Sequence, residues 1–150
     1  MKKFLFIATI CILCLASLQT QAQKIRFVNQ NGDERFGKSK STTDSTLTYI
    51  DSIGIEDNEG GVYEATVIGY AKDTAYSVTG SVAVRFNKRR GTLTMGSVVE
   101  KQAIVTDAAL GTATFTIVAS GGKIYTRVKG KAATNITWYC IPKRRSIIYK

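Results

Sequence analysis

Apolar and polar residues alternate with a period of two through most of this chain, which leaves it few folds to choose from. Tyr76 to Phe86 reads Tyr-Ser-Val-Thr-Gly-Ser-Val-Ala-Val-Arg-Phe, and Val62 to Ile68, Ala113 to Val118 and Lys123 to Lys129 alternate in the same way. Successive side chains of a strand point to opposite faces, so each such run buries one face and wets the other. Thr, Val, Ile, Tyr and Phe fill these runs, as a pleated, half-buried surface favours. No window of helical length repeats near 3.6 residues. Turn residues separate the runs: Asp57 to Gly61 precedes one strand, Asn87 to Gly91 joins two, Ser120-Gly121-Gly122 closes a tight hairpin, and Gly130 opens a loop to Asn135.

The pattern predicts about nine strands, many short and evenly spaced, which is the signature of an antiparallel sandwich. They fall at residues 24–29, 46–55, 62–70, 75–86, 92–99, 102–106, 112–119, 123–129 and 136–141, with Ser146 to Tyr149 a candidate tenth. The fold class expected is all-β, an antiparallel β-sandwich of jelly-roll-like form. Residues 30–45 are polar and read as a linker between the first strand and a compact domain from 46 to 150.

The first 22 residues set the address. Lys2 and Lys3 precede an apolar run from Phe4 to Leu18, and Thr20 and Ala22 are small residues at the positions a signal peptidase inspects. The run is about fifteen residues, short of the roughly twenty that span a bilayer. Residues 1–22 therefore read as a cleaved signal peptide and residues 23–45 as an N-terminal strand plus linker. The mature chain is expected in the periplasm or outside the cell, with no membrane span. Ile10 and Leu13 precede Cys11 and Cys14, so neither cysteine sits in a lipid-attachment motif. Only Cys140 remains after cleavage, which leaves no intrachain disulfide and makes packing the source of stability. Beside Trp138, this thiol reads as buried.

Composition excludes whole classes of chemistry. The chain has no histidine, so it lacks the base of Ser-His-Asp and Cys-His catalysis and the usual zinc ligands. Glu56 to Gly61 is rich in oxygen ligands but lacks the calcium-loop spacing, and reads as a polar turn. Asp51, Glu56, Asp57, Glu59 and Glu64 could supply a glycosidase pair only in a cleft that the pattern does not suggest. No cofactor is implied.

Charge is segregated. The formal net charge is +10, and no acid follows Asp107 while basic residues accumulate. Lys88, Arg89 and Arg90 in a hairpin, with Lys143, Arg144 and Arg145 near the end, form a candidate surface for an envelope glycan or another anionic polymer. Aromatics are not interleaved with these cations, so specific nucleic-acid binding is not expected.

The order of elements from residue 41 to 143 carries a resemblance. Ser41 to Thr46 leads into an alternating strand. Val62 to Gly69, Ala75 to Gly80, Phe86 with Arg89 to Thr92, and Met95 to Val98 follow. Ile124 to Trp138 closes the pattern with strand, Gly130, small residues, Asn135, Ile136, one residue and Trp138. This order resembles a β-rich domain at the ends of bacteriophage tail-fibre and other virion structural proteins. The resemblance implies a structural or receptor-facing module, a homo-oligomer with no catalytic residue set. The export signal turns that expectation toward a cellular, exported use of such a domain. On the residues themselves, Gly130 allows a bend, Ile136 and Trp138 share one face, and Trp138 and Cys140 point to the core. The function expected is a self-associating, non-catalytic structural or assembly protein. The alternative is a monomeric lectin-like module.

Overall fold

The computed structural model describes residues 26–28 and 34–149, with side chains from residue 37 onward. Residues 1–22, read as a signal peptide, lie outside the described residues. The fold is all-β and antiparallel. Its strands are β1 (Arg26–Val28), β2 (Glu34–Phe36), β3 (Lys38–Thr42), β4 (Leu47–Gly54), β5 (Glu59–Ala71), β6 (Ser77–Arg89), β7 (Thr92–Met95), β8 (Val99–Thr106), β9 (Thr114–Ser120), β10 (Lys123–Lys129) and β11 (Ile136–Ile148). One 3-10 turn, Ala108–Leu110, joins β8 to β9.

Two sheets of unequal size make the sandwich. The small sheet runs β4-β10-β9. The large one runs β3-β11-β5-β6, with β7 and β8 sharing the far edge of β6. β1 and β2 form a separate two-stranded sheet among the described residues. Alternation buries one face of each sheet against the other. Ile50, Phe115, Ile117, Ile124 and Val128 from the small sheet meet Tyr63, Val67, Val82, Val84 and Trp138 from the large one. Trp138 is fully buried, and its indole N–H donates to the Thr42 hydroxyl at 2.9 Å, so its polar tip is satisfied. A Cβ at Gly69, the neighbour of Trp138 across the ladder, would stand 2.7 Å from the indole ring.

Local chemistry fixes the turns. Gly121 and Gly122 both take positive φ (55° and 74°), as the two-residue β9–β10 hairpin requires. Arg90 and Gly91 do the same between β6 and β7.

The strands depart from the sequence pattern in four places, each with a physical reason. The segment read as a linker supplies β2 and β3, and Lys38–Thr42 pairs with Cys140–Ile136 to cover part of the β11 edge. Its polar residues fit there because Lys38 to Ser41 stay exposed while Thr42 alone is buried. Gly60 and Gly61 lie inside β5, not in the preceding turn. Asn58, at φ 59°, makes that turn instead. The stretch 92–99 breaks at Gly96 to Val98, where the Gly96 N–H donates to the Arg85 carbonyl and the chain re-joins β6 further along as β8.

The fourth departure is the largest. The strands read at 136–141 and 146–149 are one strand, running through Pro142. β11 pairs with β5 in a single register from Ile136↔Ala71 to Ile148↔Glu59. At one end the Lys72 N–H donates to Asn135, and at the other the Tyr149 N–H donates to Asn58. Hydrogen bonds in an antiparallel ladder belong to alternate residues, so the odd-numbered residues of β11 bond to β5. Pro142 is even-numbered. Its missing N–H falls on the opposite edge and no bond to β5 is lost.

Gly130 is needed for space rather than for a bend. Its φ is not positive, but a Cβ there would collide with the Thr42 hydroxyl and the Asp44 carbonyl. Replacing Gly130 with Ala is predicted to destabilise the fold by about 1–3 kcal/mol, as overpacking does elsewhere. Urea denaturation midpoints of the two proteins measure this.

A candidate anion-binding groove

Strand parity divides the two basic clusters found in the sequence. Lys88 and Arg144 turn toward the end of the sandwich interior, where Glu59 is buried at 1% exposure. The Arg144 guanidinium stands 3.4 Å from the Glu59 carboxylate and donates to the Gly54 carbonyl at 3.3 Å. Lys88 donates to the Ile55 carbonyl at 2.8 Å. Burial by itself would raise the Glu59 carboxyl. The Ser146 hydroxyl, the Glu56 N–H and the charges of Arg144 and Lys88 outweigh it and hold the group below its usual value. These two cations and Glu59 therefore pin the β4–β5 loop. The other acids of that region also have partners: Asp57 accepts from the Gly91 N–H at 2.8 Å, and Glu64 lies beside Arg145 at 4.0 Å. Among the described residues, no His, Cys, Asp or Glu side chains cluster in threes as metal ligands.

Arg145 belongs to the opposite, outer face of the large sheet. Register places Arg85 on β6, Val62 on β5 and Arg145 on β11 in one row. The two arginines are thus two strand spacings apart, about 10 Å, with an apolar residue between them. The next row is Asn87, Gly60 and Ile147. Gly60 has no side chain, so the sheet carries a trough there of about 460 Å³, lined by Val62, Arg85, Asn87, Arg145 and Tyr149. Tyr149 is 59% exposed. The trough leads at one end to Asn58 and Arg89, and at the other to Ser97, Val99 and Lys101. Arg90 sits in the β6–β7 turn and Lys143 one row beyond, beside Glu64. The groove thus unites Arg89 and Arg145 from the sequence clusters with Arg85, Asn58, Asn87 and Tyr149, which were not singled out. Parity alone would have found Arg85, since Phe86 beside it faces the core. Tyr149 required knowing that β11 continues past Pro142.

A second polar cluster lies between the sheets. The Tyr63 hydroxyl is 2.8 Å from the Thr126 hydroxyl and donates to Asp51 at 3.2 Å, while the Lys38 ammonium stands 2.5 Å from the other Asp51 oxygen. Cys140 is fully buried beside them, and burial pushes its thiol up to about 12. Such a thiol is protonated and inert at neutral pH. Burial likewise raises the Tyr63 hydroxyl. All four polar groups find partners within the cluster, so it ties the two sheets together.

Solved structures found similar to this chain include phage tailspikes. The tailspike protein of Acinetobacter baumannii phage AM24 matches 76% of this chain over 26% of its own, at 9% identity and a TM-score of 0.44. The tailspike protein gp49 of Acinetobacter baumannii bacteriophage Fri1, a capsular polysaccharide depolymerase, matches 86% of this chain over 21% of its own, at 11% identity and a TM-score of 0.42. This chain therefore spans only a minor part of each tailspike. No family model and no curated protein matches the sequence.

The Glu59 cluster yields a pH prediction. Its carboxyl titrates lower in the folded state than the usual 4.5. The stabilisation is complete above that value and is lost as pH falls through the lower folded value. Glu59→Gln should cost about 1–3 kcal/mol at pH 7 and flatten the stability loss as pH falls below the usual 4.5. Urea midpoints across that range test it.

Proposed function

We propose that this protein is an exported, non-catalytic binding module whose outer groove holds an acidic polysaccharide or a similar anionic envelope polymer. The observation that carries this reading is the row Arg85–Val62–Arg145 beside the Gly60 trough and the exposed Tyr149 ring. Two guanidiniums at this spacing take carboxylate, sulfate or phosphate groups bidentately. The trough admits a chain across the strands, and the tyrosine offers a face on which a sugar ring can stack. Export rests on the Lys2-Lys3 start, the apolar run and the small residues before Gln23. Export would bring the groove to where envelope polymers are found.

Polygalacturonate is the probe for this reading, with neutral dextran as the control. Binding to the acidic polymer should weaken steeply as salt rises, because phosphate-like or carboxylate contacts release counterions. The double variant Arg85→Ala/Arg145→Ala should lower affinity by about tenfold or more, the equivalent of roughly 1.4 kcal/mol, and Tyr149→Ala by less. No binding at low salt, or equal binding by the double variant, overturns the reading.

A second reading, a self-associating structural protein, is favoured by the exposed far half of β11, where Ile147 and Ile148 are 66% and 52% exposed. The solution mass of residues 23–150 by light scattering tests it: a dimer or larger species is expected, and a strict monomer overturns it.

A further inference from the structure

The free edge of β11 specifies how two copies of this chain would meet. β3 covers β11 only from Ile136 to Cys140. Beyond Cys140 no described strand hydrogen-bonds to that side, while β5 holds the other side along the whole length. The even-numbered residues aim their backbone groups at the uncovered edge. Arg144, Ser146 and Ile148 each present an N–H and a C=O there, and Pro142 presents a carbonyl only. An open edge of this kind is a template for another strand.

Charged residues usually protect such an edge. Here the protection is partly cancelled from within the chain. Arg144 is paired with the buried Glu59 at 3.4 Å, and Arg145 has Glu64 at 4.0 Å. The residues that follow are exposed and apolar: Ile147, Ile148 and Tyr149.

We infer that two copies pair antiparallel along this edge about a two-fold axis through Ser146, joining their large sheets into one. The inference rests on the self-association reading and names its surface and register. Antiparallel pairing of identical strands must set even-numbered residues against even-numbered residues, which leaves few registers. With Ser146 opposite Ser146, Arg145 faces Ile147, Arg144 faces Ile148, and Lys143 faces Tyr149. In these three pairs, on either side of Ser146, a basic side chain lies opposite an apolar one, its stem packing on the apolar group. Sliding two residues in one sense sets Arg144 against Arg144 or, by a smaller step, Arg145 against Arg145. Sliding in the other sense shortens the run of paired residues, from 143–149 to 145–149 at the first step. Like charges directly opposite are destabilising, so charge opposes the first sense and length of pairing the second, which leaves the Ser146 register. Pairing stops before Cys140, where β3 takes over the edge. Both grooves lie on the same face of the joined sheet, next to the seam.

Register-specific cross-linking tests the arrangement. Ser146 and its copy form a hydrogen-bonded pair, with Cα atoms about 5.5 Å apart, within the range a disulfide spans. Under mild oxidation Ser146→Cys is expected to give a covalent dimer, and a mixture of Lys143→Cys with Tyr149→Cys a covalent heterodimer. The native Cys140 is buried and does not compete. Ser146→Pro removes the central N–H from the free edge of both copies and leaves the bonds to β5 intact. It should raise the dimer dissociation constant about tenfold or more, since two hydrogen bonds are lost. Ser146→Ala, which loses only the hydroxyl contact to Glu59, should remain dimeric and so controls for folding. Dimerisation should strengthen with salt as the residual repulsion is screened, opposite in sign to polygalacturonate binding. An oligomer that persists in Ser146→Pro, with no cross-link at 146, overturns the inference but leaves self-association standing. A monomer under all conditions overturns both, and neither result touches the groove, which Arg85→Ala, on β6 and away from the seam, tests separately.

Discussion

The unbroken ladder between β5 and β11 is the constraint on which the rest of the molecule depends. Thirteen residue pairs share one register, from Ile136↔Ala71 to Ile148↔Glu59. A slip of one residue would reverse every side chain of β11. Trp138 and Cys140 would leave the core, Arg144 would lose Glu59, and Arg145 would turn away from Arg85. The buried half of β11 holds the register, because Ile136, Trp138 and Cys140 are each fully buried. The exposed half inherits it. The position of Arg145 is thus fixed by a tryptophan seven residues earlier.

Charge in this protein is sorted by parity rather than by sequence cluster. Lys143, Arg144 and Arg145 are consecutive, yet Arg144 neutralises a buried carboxylate while Arg145 faces the outer groove. Lys88 and Arg89 divide in the same way. Alternate side chains of a strand sample different media, so neighbouring cations acquire unrelated tasks. The buried Asp51–Tyr63–Thr126 cluster reflects the same economy: β4, β5 and β10 each contribute one polar group to a place where the others satisfy it. Lys38 caps it from β3, which gives that short polar strand a role in the interior.

The outer groove and the free edge of β11 are adjacent, which couples the two proposals. Pairing at Ser146 would bring two troughs side by side on one continuous sheet. Two weak sites on one rigid body hold a long polymer more firmly than either alone. The same ladder that buries the tryptophan would then set the spacing between sites.

The alternation of Val, Thr, Ile and Tyr made the all-β sandwich legible in the sequence, because a period of two can bury only one face of a strand. The Ser120-Gly121-Gly122 hairpin and the inward parity of Ile136, Trp138 and Cys140 were legible for the same local reason. Segment 38–42 was not. Its residues are polar, and only its partner β11 makes it a strand. Nor was the continuity of β11 through Pro142, since a proline is tolerated or not according to which edge its nitrogen faces, a property of the sheet. The groove depends on both. Arg85, Gly60, Arg145 and Tyr149 come from three segments far apart in the chain. Alternation along each strand was enough to tell which residues could face water and which could not. Which of them meet followed from the pairing of strands, because register across a sheet is set by distant parts of the chain.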